Sequence, residues 1–465
     1  MRLDLILPLL VVLVGAIGTL VVGIFLPRAR QTISAWLAGA VLVTAAVCAG
    51  LQLAFLVPQF AFDGSFAADG ATAWVQLVVL ASALACVVLA VPVFRNDARE
   101  AEFYALLLFA TLGALVLAGA ADVMEMLLGV LLTSVGSYPL VVYRRADRLA
   151  LEAVLKYYLL GALANLALIL GLVLLYALSA STLLSDFGGL APTNTVAVAL
   201  ALSLTLAGLG FKAGYVPTHY WIPDVYQGAT VPVAALLSVI PKVAALLAVA
   251  RLCQALPEQL GWPALTAGLA AVTMTWGNLA AFRQNDIRRL LGYSSISQAG
   301  YLLMGVTALT DSPLALTALL YHFVAYAAAN IGAFAVLAAS GHHTIAAHAG
   351  LVRQRPWLVF AMAVCLLSFM GLPPLAGFVG KFALFTAALQ AGWVWLVVLA
   401  LINTVLSLYY YLRVIGPMVL QPPRHEPVGS GQGTVIALLG GGLSLALGLG
   451  AYGLLGVGKT LTLLP

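Results

Sequence analysis

The sequence predicts an all-α protein that crosses a membrane many times, and three observations lead to this prediction: composition, recurring apolar runs and the charges between them. Of the 465 residues, 63% are hydrophobic and only 8% are charged. A soluble domain usually carries about 25% charged residues, so this composition does not supply a water-facing surface. An ordinary soluble enzyme, a disordered chain and a disulfide-stapled secreted domain are therefore excluded.

Apolar runs long enough to cross a bilayer recur along the whole chain. The hydrocarbon core is about 30 Å thick, so a spanning helix needs roughly 20 residues. We predict about 14 spans, at residues 4–26, 32–57, 73–94, 102–120, 122–143, 152–178, 194–215, 231–253, 261–281, 293–309, 314–340, 357–388, 392–417 and 433–456. The first run is too long for a signal peptide and no A-x-A site follows it, so it is kept as a span.

The charges in the joints between spans alternate in sign. Joints after odd-numbered spans carry Arg28, Arg30, Arg95, Arg99, Arg144, Arg145, Arg148, Arg283, Arg288, Arg289, Arg353, Arg355 and Arg424. The joint after span seven is neutral. Joints after even-numbered spans carry Asp63, Asp69, Asp186, Glu258 and Asp311, with Arg251 at a helix end. Basic loops face the cytoplasm, which predicts a multi-pass protein with both termini on the outer, periplasmic side. The high Ala, Leu and Gly content favours the bacterial inner membrane, with an organelle membrane as the alternative.

Two spans are interrupted by prolines, the seventh around Tyr215–Pro217 and the twelfth at Gly371–Pro374. Each lies fourth in a run of five helices, spans 4–8 and spans 9–13, and because five is odd the second run is inverted. Lys156 precedes Asn165 by the same interval at which Tyr321 precedes Asn330. Discontinuous helices at matching places in inverted halves indicate a transport site. The alternative is two unrelated proline kinks.

This duplication predicts the organisation of the chain. Residues 1–100 form an N-terminal three-helix segment, 101–255 the first five-helix repeat, 256–418 the second repeat and 419–465 a C-terminal helix.

Four lysines fall inside the apolar spans or at their breaks: Lys156, Lys212, Lys242 and Lys381. Each costs at least about 2.5–3.5 kcal/mol at the bilayer centre, which favours a hydrated interior around them. Burial disfavours the charged form of a lysine and brings proton release within reach of neutral pH. The lysines, with His322 between them, have the composition of a proton relay. For Lys156, near a span end, snorkelling to the interface is the alternative.

Acids and histidines give less specific signals. Asp122 and Glu125 open span five one turn apart and share a helix face, and the alternative role for them is an interfacial helix cap. Asp224 is expected to order the loop after the broken span, with His219. The remaining histidines lie in polar joints, are expected to be solvated and are too loosely clustered for a metal site: His342, His343, His348 and His425.

No cofactor motif is found in the sequence. The cysteines Cys48, Cys86, Cys253 and Cys365 are single and lie within apolar runs, so they predict neither a metal site nor a disulfide framework. The segment Gly448–Gly453 matches the dinucleotide pattern, but it lies inside an apolar span without a preceding strand and is interpreted as helix-packing glycine. We therefore expect no redox centre and no metal in this chain, and the net charge of +5 is too scattered to indicate nucleic acid.

Several long segments resemble one known family: Glu152–Ala162, Phe211–Ala229, Asp286–Tyr301 and Gly371–Phe382. Over about residues 100–415 the chain resembles the antiporter-like membrane-arm subunits of respiratory complex I, an NADH-quinone oxidoreductase, and within that family the subunit N branch. The resemblance implies 14 helices with two inverted repeats. It also implies proton movement driven by electron transfer elsewhere in the complex. NADH, FMN, iron–sulfur clusters and quinone are then expected in partner subunits, and other membrane-arm subunits as neighbours.

The resemblance assigns roles to three lysines. Lys212 is implied to be the lysine of the first broken helix, Lys242 the connecting lysine of the next span, and Lys381 the terminal lysine of the second broken helix. These are the residues predicted to carry the proton relay, with His322, Lys156, Glu125 and Asp122 as further candidates.

Two departures from the family pattern concern the relay. Leu131 stands where the family usually has a glutamate that pairs with the lysine at the position of Lys212, and Gln298 stands where the family often has a histidine. Glu125 is six residues before Leu131, about 9 Å along the axis and some 240° around the helix, so it is no simple substitute. Nearby acids or a neighbouring subunit supply the missing charge, or this copy conducts poorly.

Three functions therefore compete. The first is a proton-translocating subunit of a complex I-type oxidoreductase. The second is a mainly structural or coupling subunit with reduced conduction, and the third is a subunit of a related cation/proton antiporter or membrane-bound hydrogenase. Lys156 and the segment Pro223–Gly228 argue against the third, and copurified partner subunits would discriminate among them.

Overall fold

The computed structural model describes residues 3–55, 57–95, 97–144, 147–190, 195–424 and 429–465. Within them the chain is almost entirely helical. The α-helices are α1 (Leu7–Phe25), α2 (Ile33–Phe55), α3 (Gly70–Phe94), α4 (Glu100–Gly119), α5 (Val123–Val141), α6 (Arg148–Ser179), α7 (Thr195–Ala213), α8 (Trp221–Gly228), α9 (Val231–Ala255), α10 (Trp262–Ala281), α11 (Ile287–Thr307), α12 (Ala315–Ser340), α13 (Pro356–Met370), α14 (Ala376–Gln390), α15 (Val394–Leu420), α16 (Gly431–Leu449) and α17 (Ala451–Gly458). A short antiparallel hairpin of β1 (Gln59–Ala61) and β2 (Phe66–Ala68) joins α2 to α3.

The number of membrane-crossing helices is eleven by length and hydropathy among the described residues, or up to twelve if the bent pair Ala346–Arg353 and Pro356–Met370 counts as one span. Every predicted span overlaps one or two helices. The predicted spans outside the eleven correspond to α10, α11 and the α13–α14 pair. Helices α10 and α11 carry many serines, threonines and amides, and α14 has only 15 residues. The count of 14 therefore stays a prediction.

Side-chain caps fix where several helices begin. An oxygen of the residue before the helix accepts a backbone N–H of the first turn, as observed for Asp69, Asp122, Asp147, Asp286 and Ser430. The cap formed by Asp286 makes α11 start at Ile287, six residues before the predicted start of span ten.

Both predicted helix interruptions are present. Helix α7 ends at Ala213 and α8 begins only at Trp221, and Gly214 between them has φ +79°. Helix α13 ends at Met370, and Gly371, with φ +84°, separates it from α14. Glycine adopts this left-handed region without the steric cost of a Cβ, so a glycine opens each break.

The centre of the molecule is formed by α9 and α12. All of the most apolar stretch of α9 and 89% of that of α12 are buried. Helices α2, α6 and α16 lie at the outside, with 22%, 33% and 28% of the corresponding stretches buried. Large apolar side chains such as Leu163 on α6 and Val47 on α2 are more than half exposed. Lys242 on α9 and His322 on α12 therefore belong to the innermost layer.

A fully buried ion pair ties the start of α3 and the C-terminal segment to the central helix α9. The carboxylate of Asp69, before α3, accepts hydrogen bonds from Arg251 Nη1 at 2.8 Å and from the Leu464 backbone N–H at 2.8 Å. Both charged side chains are 0% exposed. Arg251 also donates to Thr72 Oγ1 at 2.8 Å and to the Leu464 carbonyl. The pair therefore connects α3, α9 and the C-terminal segment.

Replacing Asp69 with Asn should destabilise the protein by about 3–5 kcal/mol, because the buried guanidinium loses its counter-charge. The melting temperature of the detergent-solubilised protein measures this effect. Asp63→Asn is the control, because Asp63 is an exposed acid in the same joint. Equal melting temperatures for the two variants would contradict a structural role for the buried pair.

Candidate functional site

Three lysine side chains lie in the buried interior of the helix bundle. Lys212, Lys242 and Lys381 are 1%, 1% and 2% exposed. Lys212 is the penultimate residue of α7, directly before the first break, and Lys381 follows the second break in α14. Lys242 follows Pro241 in the middle of the buried helix α9. The two broken helices and the central helix thus each present one amine to the interior.

Lys212 is surrounded by aromatic rings rather than by acids. Its Nζ donates to the Tyr157 hydroxyl at 3.1 Å. The same nitrogen lies 5.1 Å from the ring centre of Tyr157, 5.5 Å from that of Tyr138 and 5.6 Å from that of Phe211. Cations are attracted to ring faces within about 6 Å. No Asp or Glu in the described part of the chain forms an ion pair with Lys212.

Lys242 is held by hydroxyl and carbonyl oxygens of α11 and by the first break. Its Nζ donates to the Ser295 carbonyl at 2.6 Å and also to Ser295 Oγ. Ser295 Oγ lies 2.8 Å from the Tyr326 hydroxyl, which donates to the Ser238 carbonyl at 2.9 Å. A Cβ placed on Gly214 would lie 3.3 Å from Lys242 Nζ. The break that follows Lys212 therefore packs directly against the amine of Lys242.

Lys381 and His322 lie side by side at the second break. Lys381 Nζ lies 4.1 Å from the ring centre of Tyr301, and among the described residues it has no hydrogen-bond partner. His322 Nε2 lies 3.3 Å from Gln298 Oε1, and Gln298 Nε2 donates to the Phe369 carbonyl at 3.2 Å. A Cβ on Gly380 would lie 2.4 Å from His322 Nδ1, so the imidazole packs against the backbone next to Lys381.

Helix α11 connects the second and third lysines. Ser295 and Gln298 are three residues apart and share a face of α11. Ser295 contacts Lys242, whereas Gln298 contacts His322. We call this series the buried polar row; it consists of Lys212, Lys242, Ser295, Gln298, His322 and Lys381. Groups that accept and donate hydrogen bonds in such a series are suited to passing protons.

Comparison with known proteins identifies the family of the chain. Residues 120–407 match the family described as "NADH:quinone oxidoreductase/Mrp antiporter, TM". The chain is 42% identical over 441 residues to NADH-quinone oxidoreductase subunit N of Mycobacterium sp. (strain JLS), with 92% of each chain covered. It is 41% identical to NADH-quinone oxidoreductase subunit N 1 of Streptomyces griseus subsp. griseus, with 96% of this chain and 95% of that relative covered. The chain belongs to the NADH:quinone oxidoreductase/Mrp antiporter family.

Two solved structures have the same fold as this chain. A chain of respiratory complex I from Thermus thermophilus with bound aureothin superposes with a TM-score of 0.85 at 36% identity, covering 97% of this chain and 98% of that one. A chain of the Mrp complex from Dietzia sp. DQ12-45-1b superposes with a TM-score of 0.86 at 23% identity, covering 99% and 97%. The second likeness shows the fold alone.

Lys156 lies outside the buried polar row of this family member. Its side chain is 43% exposed and forms ion pairs with Glu152 at 2.6 Å and with Asp224 at 2.7 Å. Arg289 binds the other oxygen of Asp224 at 2.5 Å. Asp224 therefore orders its segment by joining α6, α8 and α11. The expected partnership with His219 is wrong, because among the described residues Asp224 bonds to Lys156 and Arg289, while His219 Nδ1 has no hydrogen-bond partner.

The acids at the start of α5 do not reach Lys212. Asp122 accepts the Met124 N–H at 2.6 Å and caps the helix, which is the alternative role named for it above. Glu125 Oε2 is buried and lacks a hydrogen-bond partner within the described ranges. Leu131 is 37% exposed. Tyr138, seven residues later and on nearly the same helix face, is the α5 side chain that lies beside Lys212.

The sequence suggested that the histidines in the joints are solvated, but the structure shows that not all of them are. His348 is only 1% exposed, and its ring nitrogens lie 2.9 Å from Ser340 Oγ and 2.9 Å from the Thr344 carbonyl oxygen. Burial, with the nearby Arg288, lowers the pKa of His343 to about 4. The prediction of solvation is therefore wrong for His348. His425, like Arg145, lies outside the described residues.

Sequence reasoning missed the neutral members of this site. Tyr157, Ser295, Tyr301 and Tyr326 contact the lysines, yet hydroxyl residues carry no signal of their own in an apolar run. The signal that was available is the unusual polarity of α11, since Ser294, Ser295, Ser297 and Gln298 are all buried there.

Gly214→Ala should lower the stability of the protein more than Gly261→Ala. Both glycines have a positive φ, +79° and +78°, so each alanine costs about 1–2 kcal/mol of backbone strain. Only at Gly214 does the added Cβ also meet packed atoms, Ile222 Cδ1 at 2.6 Å and the Lys242 side chain, which adds about 1–3 kcal/mol of overpacking. Thermal unfolding of the two variants measures the difference. Equal destabilisation would show that the break does not pack tightly against Lys242.

Proposed function

We propose that this chain is a proton-translocating membrane subunit of a complex I-type NADH-quinone oxidoreductase, and that Lys212, Lys242 and Lys381 exchange protons along the buried polar row. The observation that carries the proposal is the burial of all three amines at 1–2% exposure, while no carboxylate among the described residues forms an ion pair with any of them. Ionisable residues are retained at such positions for function, because each is costly to insert.

The chemistry that each residue contributes follows from its contacts. An ammonium group can give one N–H proton to a neighbouring proton acceptor, which breaks that N–H bond and leaves a neutral amine, and the amine can then bind another proton from a donor. Lys242 is poised for this exchange by Ser295, and the Ser295–Tyr326 hydroxyl pair extends its hydrogen-bonding reach. Gln298 orients His322 beside Lys381. The breaks in the helices leave backbone N–H and C=O groups without a partner in the helix. At membrane depth such groups are tolerated only where the protein or a water-filled interior can bond to them.

The driving energy is proposed to come from partner subunits. In this assignment NADH, FMN, iron–sulfur clusters and quinone are held elsewhere in the complex, and other membrane-arm subunits flank this chain in the lipid bilayer. The support is the 41–42% identity to NADH-quinone oxidoreductase subunits N over more than nine-tenths of the chain.

The finer architecture is part of the same proposal. We assign 14 transmembrane helices, with inverted five-helix repeats at 101–255 and 256–418, an N-terminal three-helix segment at 1–100 and a C-terminal helix at 419–465. Both termini are placed on the periplasmic side of the bacterial inner membrane. The interruptions between α7 and α8 and between α13 and α14 support the repeats, and the alternation of basic and acidic joints supports the orientation.

A second candidate function is a mainly structural or coupling subunit with reduced conduction. One observation favours it: Leu131 stands on α5 where the family usually has an acid, and neither Asp122 nor Glu125 pairs with Lys212. The third candidate, a cation/proton antiporter or hydrogenase subunit, is compatible with the family description, which also names the Mrp antiporter. The Mrp complex and the membrane-bound sulfane sulfur reductase, at 22–23% identity, share the fold alone.

Lys212→Ala and Lys381→Ala should reduce proton pumping by the assembled complex while assembly stays intact. Removing the group that holds the proton should slow transfer through this subunit by about 10²-fold or more. Inverted membrane vesicles permit NADH oxidation and the resulting pH gradient to be measured together, which gives protons moved per electron. Lys212→Met and Lys381→Met repeat the test with side-chain volume retained.

Lys459→Ala is the matched control, because Lys459 is an exposed lysine near the C-terminus and should pump normally. If both interior variants keep the wild-type proton-to-electron ratio, the conduction hypothesis is wrong and the structural or coupling function is favoured.

A further inference from the structure

The charge on Lys212 has no acidic partner on α5. Leu131 is 37% exposed, and the buried oxygen of Glu125 has no partner in the part of the chain that the structure describes. Glu125 also precedes Tyr138, the α5 residue beside Lys212, by 13 positions, or about 20 Å of helix. The stabilisation of a protonated Lys212 must therefore come from other groups of this chain or from a neighbour.

The Tyr157 hydroxyl faces the amine with its oxygen. An ammonium group has only donors, so Lys212 donates to Tyr157 at 3.1 Å and the phenol proton is left to donate onward. The Tyr157 hydroxyl lies 3.0 Å from Ser137 Oγ and donates to it, because Ser137 uses its own proton to donate to the Ser134 carbonyl at 3.2 Å. Tyr157 and Ser137 are both 0% exposed. All the hydrogen bonds in this series therefore donate in one direction, away from Lys212, and the Tyr157 oxygen is the acceptor for the amine.

The rings around Lys212 are fixed by their own packing. Tyr157 stacks on Trp221 with ring centres 4.5 Å apart, and Trp221 Nε1 donates to the Phe211 carbonyl at 2.8 Å. Tyr138 packs edge-on against Tyr157 at 4.7 Å. Gly161 leaves room for this arrangement, because a Cβ there would lie 2.1 Å from the Tyr138 hydroxyl. The ring faces are thus held beside the amine whatever its charge.

We infer that Tyr157 is the positioning residue of Lys212, and that its hydroxyl together with the rings of Tyr138, Tyr157 and Phe211 takes the place of the missing α5 carboxylate in stabilising the protonated amine. The inference rests on the proposed function, because it concerns the proton that Lys212 is proposed to carry. It assigns a chemical reason to the retention of Lys212 in a chain whose α5 acid is replaced by Leu131.

Tyr157→Phe tests the inference, because it removes the oxygen and keeps the ring. Protons pumped per NADH oxidised should fall at least about fivefold for the step through this subunit, the effect of losing one hydrogen bond to a charged group. The midpoint of the pH profile of pumping should also move by at least about half a pH unit. Tyr176→Phe is the control, since Tyr176 lies on the same helix and is 49% exposed; it should behave as wild type.

A double variant separates positioning from a general structural role. If Tyr157 acts through Lys212, adding Tyr157→Phe to Lys212→Met should cause no further loss of pumping, because the two changes remove parts of one interaction. Additive losses in the double variant would overturn the inference.

The outcomes distinguish this inference from the proposed function. Normal pumping by both Lys212→Met and Lys381→Met would overturn the proposed function itself. Normal pumping by Lys212→Met with defective pumping by Lys381→Met would overturn the inference alone. Defective pumping by Lys212→Met, with wild-type pumping and an unchanged pH profile in Tyr157→Phe, would overturn the inference alone. Where Tyr157→Phe fails to assemble, Ser137→Ala keeps both rings and should move the pH profile in the same direction; an unchanged profile in that variant would overturn the inference.

Discussion

The free-energy cost of holding amines inside hydrocarbon governs the rest of this structure. A charged side chain at membrane depth needs partners, because neither lipid nor packed aliphatic groups can solvate it. The protein supplies a different set of partners at each lysine. Lys212 has a phenol oxygen and three ring faces, Lys242 has the carbonyl and hydroxyl of Ser295, and Lys381 lies over Tyr301 with His322 adjacent. None of these partners carries a fixed negative charge, so each amine can lose its proton without leaving an unpaired anion behind.

The broken helices serve the same constraint. Ending α7 at Ala213 places Lys212 at a helix terminus, and the left-handed Gly214 then brings the chain against the amine of Lys242. The second break places Gly380 against His322 and so sets Lys381 beside the imidazole. In both halves, irregular backbone occurs where polar side chains converge, which is where unpaired backbone groups can be satisfied. The breaks are therefore part of the site as well as features of the fold.

Much of this arrangement was predictable from the sequence, since prolines in apolar runs and lysines in apolar runs are local signals. The partners of those lysines were not, because Tyr157 and Ser295 are brought to them by packing between helices far apart in the chain. The polar residues of α10 and α11 are largely buried, and these two helices lie outside the eleven that are long and apolar enough to span. His348 shows an error of the sequence reasoning: a polar joint is not always exposed, and there a short turn folds the ring back onto Ser340. Asp224 likewise forms ion pairs with Lys156 and Arg289, two residues that no sequence spacing connects to it.

The replacement of an acid by a phenol at Lys212 changes how the rest of the complex can influence that lysine. A carboxylate partner responds to nearby charge, because it can exchange partners or take up a proton. A tyrosine has an ordinary pKa near 10 and stays neutral, so its effect depends on geometry. Its hydrogen bond to Lys212 measures 3.1 Å, and such bonds are lost by about 3.6 Å. A relative shift of α6 and α7 of roughly half an ångström would therefore weaken this hydrogen bond. If Tyr157 is the positioning residue, proton release from Lys212 is controlled by helix movement rather than by a neighbouring charge.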